Sequence, residues 1–185
     1  MIVKALVDYE DRLIAEGRGY PLFESFEYPG QVNIGIIRGG DFFSIVPDLV
    51  TMEGGVGFLP DRSMETVEQE LAEVIRQIGD PWLQEHVQLK FNGIKNDPYE
   101  MPRDHPLTQT LQKTLASFGR VPEVKGMMAT CDARYYFNQG GMPSIVYGGT
   151  NAKQSHAKNE HAHIPDLLDT ALEYAAFIMD WCGAG

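Results

Sequence analysis

The stretch Val32-Asn33-Ile34-Gly35-Ile36-Ile37-Arg38-Gly39-Gly40 determines how the first half of this chain folds. Its first apolar residues fall at every second position, which predicts a half-buried strand, and the glycine pair at its end predicts a turn. A second strand is therefore predicted over residues 42–53, with a bend or a sheet edge at Pro47. Its extended run continues through a bulge or kink at Gly54-Gly55 and over residues 56–59.

Helices are predicted on both sides of these two strands. Apolar residues recur every three or four positions over residues 2–16 and over residues 64–78, with Ser63 as an N-cap for the second helix. Residues 87–91 alternate as a third strand. The order helix, strand, strand, helix, strand matches a βαββαβ ferredoxin-like unit without its first strand. The first helix has no N-cap, which either terminal fraying or a chain that continues upstream would explain.

The second half of the chain alternates helices with strands, as a piece of an α/β layer does. Helices are predicted over residues 107–118, 132–138 and 165–182, and strands over 121–130 and 144–147. The last helix carries an apolar stripe at helical spacing, made of Leu168, Ala171, Ala175, Ile178 and Cys182. The sequence thus predicts a mixed α/β fold with two domains, residues 1–93 and residues 94–185.

The composition is that of a folded, acidic protein. Hydrophobic residues make up 43% of the 185 positions, so we expect a packed core rather than disorder. Fifteen basic and 26 acidic residues give a net charge of −11, which argues against nucleic acid or an anionic membrane as a partner. Two cysteines, Cys131 and Cys182, form no framework, and the first eleven residues do not read as a signal peptide. We therefore expect a cytoplasmic protein with free thiols.

Two groups of motifs carry a family resemblance. Asp132-Ala133-Arg134, a Gly-Met-Pro turn with a short strand, Gly148-Gly149 and the run Asn151–Glu160 follow one another. This order resembles the C-terminal end of the M20 metallopeptidases, which include acetylornithine deacetylases, succinyl-diaminopimelate desuccinylases and aminoacylases. The stretch Val32–Gly40, followed by Ile45-Val46-Pro47-Asp48, is similar to the lid (dimerisation) domain of that family. The resemblance implies a partial ferredoxin-like lid over residues 1–93 and the C-terminal strand–helix segment of an α/β catalytic domain over residues 94–185.

His156 is the candidate metal ligand. By itself it could equally be a hydrogen-bonded loop histidine. The resemblance implies that it binds one of two zinc ions, with cobalt or manganese as other metals that the family uses. Glu160 would brace the same loop as a hydrogen-bonding residue close to the metal ligand.

The other candidate residues concern substrate. Asp132 and Arg134 form either a structural ion pair or a surface facing the substrate, for which the planar fork of arginine suits a carboxylate. Gly148, Gly149 and Asn151 either line the substrate pocket, where glycine lets backbone amides approach a ligand, or form a simple turn.

The sequence departs from the family pattern. Ser44 stands where the lid motif usually has asparagine, and Gly57 stands where a lid arginine would read a substrate carboxylate. No histidine begins the family's His-x-Asp motif and no Glu-Glu pair supplies its general base. We therefore expect a C-terminal fragment that lacks most metal ligands and is itself inactive.

The intact parent would be a zinc-dependent amidohydrolase that cleaves an amide bond in an N-acyl amino acid or small peptide, and it would form a homodimer through the lid. Two alternatives stay open. The chain could be a non-enzymatic dimerisation or small-ligand-binding module, or a single-metal enzyme built on His156, His161, His163 and Glu160. Metal content discriminates between these possibilities.

Overall fold

The computed structural model describes residues 1–93, 97–148, 154–155 and 157–183. Within this part of the chain lie six helices and two strands, which are α1 (Ile2–Gly17), β1 (Gln31–Gly39), β2 (Val50–Gly57), α2 (Met64–Gln77), α3 (Pro81–His86), α4 (Pro106–Ser117), α5 (Ala133–Asn138) and α6 (Ile164–Cys182). The predicted α+β class is confirmed.

The chain divides into two compact units. Unit 1 comprises Met1–Tyr99 and Lys125–Cys131, and unit 2 comprises Glu100–Val124 and Asp132–Gly185. Unit 1 contains α1, β1, β2, α2 and α3, and unit 2 contains α4, α5 and α6. The division into domains 1–93 and 94–185 stays a prediction.

Strands β1 and β2 form an antiparallel hairpin. Val32 lies opposite Val56, and the register shifts between Ile34 and Ile36, so a bulge lies in β1. Gly54 faces this bulge. A Cβ atom at Gly54 would lie 2.1 Å from the carbonyl oxygen of Asn33, so only glycine allows the strands to approach so closely.

Helices α1 and α2 supply the buried cluster of unit 1, which consists of Tyr9, Leu13, Val67 and Leu71. Val32 and Val56 of the hairpin are half-buried against this cluster. Apolar residues repeat every second position in the strands and about every 3.6 positions in the helices. Both patterns place these residues on one face, and the faces pack together in this cluster.

Polar contacts fix α1 to its neighbours. Tyr9 donates its hydroxyl to Glu70 of α2 over 2.8 Å, and the side chain of Glu10 accepts the backbone N–H of Val32 over 2.9 Å. The guanidinium of Arg62 forms ion pairs with Asp61 and Glu16. Because the Arg62 side chain is only 12% exposed, these carboxylates neutralise a largely buried charge.

Two predicted strands of unit 1 are wrong or too long. Residues 42–49 form no strand. The N–H of Ile45 donates to the carbonyl of Phe42 in a turn. Pro47 has no backbone N–H that could form a hydrogen bond to a neighbouring strand. Residues 87–91 are not a strand either. Phe91 still packs against the core, so the alternating pattern correctly identified burial but could not show whether a neighbouring strand was available.

The predicted strands at 121–130, a range divided between the two units, and at 144–147 in unit 2 are wrong as well. The helices are confirmed, and α4 packs against α6. The orientation of α6 differs from what its apolar stripe suggests. Leu168 and Ile178 are 62% and 56% exposed, whereas Glu173 is 1% exposed. The side of α6 that carries Glu173 therefore faces the rest of unit 2, and the residues of the apolar stripe are exposed.

None of the helices in the described ranges is both long enough and apolar enough to cross a membrane.

The N-cap of α2 gives a stability prediction. Ser63 accepts the N–H of Thr66 through its hydroxyl, so Ser63→Ala leaves that first-turn donor unsatisfied. We expect a loss of about 1 kcal/mol in the free energy of unfolding, measured by urea denaturation. Ser44→Ala, at an exposed loop position, is the matched control. An equal effect of both substitutions would contradict the capping role.

Candidate substrate-binding site of unit 2

Helix α5 carries the first two candidate residues. Asp132 is the exposed N-cap residue, whose carbonyl accepts the N–H of Tyr135 over 2.9 Å. Arg134 is 9% exposed, and its guanidinium carbon lies 5.2 Å from the centre of the Tyr135 ring. Within the described ranges Arg134 Nε has no hydrogen-bond partner and no ion pair joins Arg134 to Asp132. A buried guanidinium with an unsatisfied N–H suits an anionic or carbonyl group of a ligand.

A glycine turn follows α5 and reverses the chain. The N–H of Met142 donates to the carbonyl of Tyr136 over 2.9 Å, and Gly141 has φ +61°. A Cβ at Gly140 would lie 2.6 Å from the carbonyl oxygen of Tyr136, so this turn cannot accommodate a side chain there. The turn leads into residues 143–148, which end at the candidate residue Gly148.

Gly148 is exposed at the end of this segment. A Cβ at Gly148 would meet no described atom within 4 Å, so close packing does not explain the glycine and the backbone there is accessible. Gly149, Asn151 and His156 lie outside the described residues, and their roles as substrate and metal ligands stay predictions.

The residue before Gly148 is tied to a buried carboxylate. Tyr147 donates its hydroxyl to Glu173 Oε2 over 2.5 Å, and Arg120 Nε donates to Glu173 Oε1 over 2.8 Å. Arg120 also pairs with Asp169 of α6 over 3.0 Å. In addition, the hydroxyl of Tyr174 donates to the backbone carbonyl of Tyr147. Helix α6 thus contacts both the side chain and the backbone of Tyr147.

The charges of this cluster depend on one another. Burial raises the pKa of Glu173, but the hydrogen bonds from Tyr147 and Arg120 outweigh it, so the pKa lies below its usual value. Burial, followed by the hydrogen bond to Glu173 and its negative charge, raises the pKa of Tyr147 to about 12. Glu173 is therefore ionised and Tyr147 is a neutral donor at physiological pH.

A further polar contact joins helix α6 to helix α4. Thr114 of α4 is 2% exposed and donates its hydroxyl to Asp180 over 2.6 Å. Asp169, Glu173 and Asp180 are separated by four and by seven positions along α6, so they lie on one face of the helix. This acidic face contacts α4 and Arg120, which explains why the apolar stripe is turned outward.

The remaining candidates lie before α6. Glu160 is exposed, and its N–H donates to the carbonyl of Ala157 over 3.1 Å. His161 Nδ1 lies 2.7 Å from the carbonyl oxygen of Asn159, and His163 Nδ1 lies 3.2 Å from Asp166. Each of these two histidines thus has a ring nitrogen engaged in a local contact.

The described residues do not fit a metal centre by themselves. Among them, no group of three histidine, cysteine, aspartate or glutamate side chains is placed to hold an ion.

The cluster around Glu173 was missed by sequence reasoning. A signal was present, because four acidic residues of the last helix (Asp166, Asp169, Glu173 and Asp180) recur at helical spacing. Acidic faces normally lie in solvent, however, and only the contact with Arg120 shows that this one is paired.

Comparison with known proteins identifies the protein family to which this chain belongs. Residues 11–180 match the family described as Peptidase family M20/M25/M40, so the chain belongs to this family of hydrolases, whose peptidases use metal ions. The predicted resemblance to the M20 metallopeptidases is confirmed.

Two curated relatives are N-formyl-4-amino-5-aminomethyl-2-methylpyrimidine deformylases. The protein from Halalkalibacterium halodurans is 20% identical over 162 residues, covering 82% of this chain and 38% of the relative. The protein from Bacillus subtilis is 23% identical over 182 residues, covering 89% of this chain and 41% of the relative. The chain therefore spans about two fifths of the length of these relatives.

The ion pair of Glu173 predicts a pH dependence of stability. Since the folded-state pKa of Glu173 is depressed, its contribution to stability is present above the unfolded value of 4.5 and is lost as the pH falls through the folded pKa. Glu173→Gln should therefore destabilise the protein at about pH 7 and differ much less from the wild type in strong acid. Urea denaturation at several pH values measures this difference.

Asp104→Asn is the control, since Asp104 is exposed in the same unit. A Glu173→Gln effect that stays the same size from neutral pH down to about pH 2 would show that the charge of Glu173 does not contribute.

Proposed function

We propose that this chain is the C-terminal part of an amide hydrolase of the M20 family, comprising part of the lid and the tail of the catalytic domain. The supporting observation is the family match over residues 11–180 in a chain that spans about two fifths of its curated relatives. The parent protein would hydrolyse the amide, and the chain alone would be inactive because it contains no His-x-Asp motif and no Glu-Glu pair.

The substrate that we propose is a small N-acylated amine or amino acid. Both relatives are named for removing a formyl group from an aminomethylpyrimidine, which is cleavage of a small amide. The buried guanidinium of Arg134 would hold a carboxylate or a carbonyl oxygen of the substrate, because its Nε lacks a partner among the described residues. Gly148 would offer accessible backbone to the substrate.

Zinc is the metal that we propose for the parent, with His156 as the ligand that this chain contributes. The support is the position of His156 in the run Asn151–Glu160, which resembles the family motif. Cobalt or manganese would suit the same mixed nitrogen and oxygen ligands. The general base would come from residues that this chain does not contain.

Elemental analysis tests the metal proposal. We expect no tightly bound zinc in the 185-residue chain, because one histidine cannot hold a dinuclear site, and about two zinc ions per chain in the product of the gene read from a start further upstream. The longer product should hydrolyse N-formyl amines or N-acetyl amino acids. In that product, His156→Ala should reduce the zinc content and abolish turnover.

His161→Ala is the matched control and should retain metal, since its Nδ1 faces a backbone carbonyl. One tight zinc in the short chain, lost on His156→Ala, would instead show a self-contained site and overturn the proposal.

A homodimer through unit 1 is the assembly that we propose. In the described part of unit 1, the two-stranded sheet of β1 and β2 has no further strand on either side, so unpaired backbone groups remain available to a second copy. Ile37, 57% exposed on β1, adds an apolar contact.

Light scattering should give about twice the chain mass of 20.7 kDa. Ile37→Lys should shift the protein towards the monomer, because it places a charge in the sheet contact. Ile178→Lys, on the exposed face of α6, is the control and should leave the dimer intact. A monomer at high concentration, or dissociation by Ile178→Lys alone, would count against this assembly.

A further inference from the structure

We propose that Glu173 and Tyr174 of α6 form a positioning pair for Tyr147, and that this pair sets the path of the backbone that reaches Gly148. The importance of Gly148 rests on the function proposed above, whereas the positioning itself rests on the contacts in unit 2.

The segment from Pro143 to Gly148 needs such support. Between described residues, no backbone–backbone hydrogen bond involves residues 143–148, and no strand lies beside them. Hydrogen bonds to a neighbouring strand usually hold such a segment in place, and this segment has none among the described residues. Among the described residues, side-chain contacts supply a constraint on this segment instead.

Two adjacent residues of α6 constrain Tyr147, one at its side chain and the other at its backbone. Glu173 accepts the hydroxyl of Tyr147 over 2.5 Å, while Tyr174 donates its own hydroxyl to the Tyr147 carbonyl. The rings of Tyr147 and Tyr174 meet edge to face with their centroids 5.8 Å apart. The side chain and the main chain of Tyr147 are thus both fixed to a regular helix.

Glu173 is itself held in place. It is 1% exposed, and Arg120 Nε occupies its other carboxylate oxygen at 2.8 Å. A buried carboxylate with both oxygens bonded has little freedom to reorient. The position of Tyr147 therefore follows from the packing of α6 and from the chain that leaves α4, of which Arg120 is part.

Limited proteolysis with chymotrypsin tests the proposal on the full 185-residue chain. This protease cuts after tyrosine and phenylalanine, so Tyr147→Phe keeps the cleavage site while removing the hydroxyl that Glu173 accepts. Cleavage after Phe43, which is 93% exposed in unit 1, serves as the internal reference. Mass spectrometry reads each cut separately.

We expect Tyr147→Phe to raise the rate of cleavage after residue 147 about tenfold relative to the cut after Phe43, the factor typical of losing a hydrogen bond to a charged group. Tyr174→Phe should also raise it, because the bond to the Tyr147 carbonyl is lost. Tyr136→Phe, at an exposed tyrosine of the same unit, should leave the rate unchanged. The midpoint of thermal unfolding should fall by only a few degrees in Tyr147→Phe and Tyr174→Phe and stay unchanged in Tyr136→Phe.

Two results would overturn the proposal. Unchanged cleavage after residue 147 in both Tyr147→Phe and Tyr174→Phe would show that the segment does not depend on these bonds. A parallel rise of all cuts within α4 and α6 would show that the contacts serve only the general stability of unit 2. Since proteolysis needs neither metal nor turnover, a failure of the proposed hydrolase function would leave this test unaffected.

In the longer, active gene product, Tyr147→Phe should raise KM several-fold while kcat changes little, because it loosens binding rather than chemistry. A fall in kcat with unchanged KM would contradict a role in setting the substrate-binding backbone.

Discussion

The buried carboxylate of Glu173 is the contact on which unit 2 depends. It joins three parts of the chain, namely Arg120, which lies three residues beyond the end of α4, helix α6 and the segment before Gly148. A charge that is 1% exposed is tolerated only when it is paired and hydrogen-bonded, so the three parts must assemble together. Glu173 thus anchors this side of α6 to the rest of unit 2, while Asp169 and Asp180 remain exposed.

The helices could be predicted from the sequence because their signals are local. Ser63 caps α2, Pro165 lies in the first turn of α6, and Gly183 ends that helix. Strands depend instead on a partner at a distance. Residues 87–91 alternate and residues 144–147 form a short run with two β-branched residues, and both patterns are typical of strands. No strand lies beside either segment in the described structure. The sequence also could not show which face of α6 is buried, because both its apolar and its acidic residues recur at helical spacing.

The candidate site could be predicted only in part. The family motifs identified Arg134 and Gly148, and the structure adds that the first is buried and the second exposed. The contacts of Tyr147 could not be predicted, because they arise from residues 26 and 27 positions further along the chain. Since no motif pairs Tyr147 with Glu173, only coordinates bring the two side chains together.

The outward-facing apolar stripe of α6 has a consequence for how the protein behaves in solution. Leu168, Leu172 and Ile178 are each more than half exposed on one helix. At low ionic strength the net charge of −11 opposes contact between these exposed apolar surfaces. Added salt screens that repulsion and strengthens the attraction between apolar surfaces, so the protein should salt out at unusually low concentrations of ammonium sulfate.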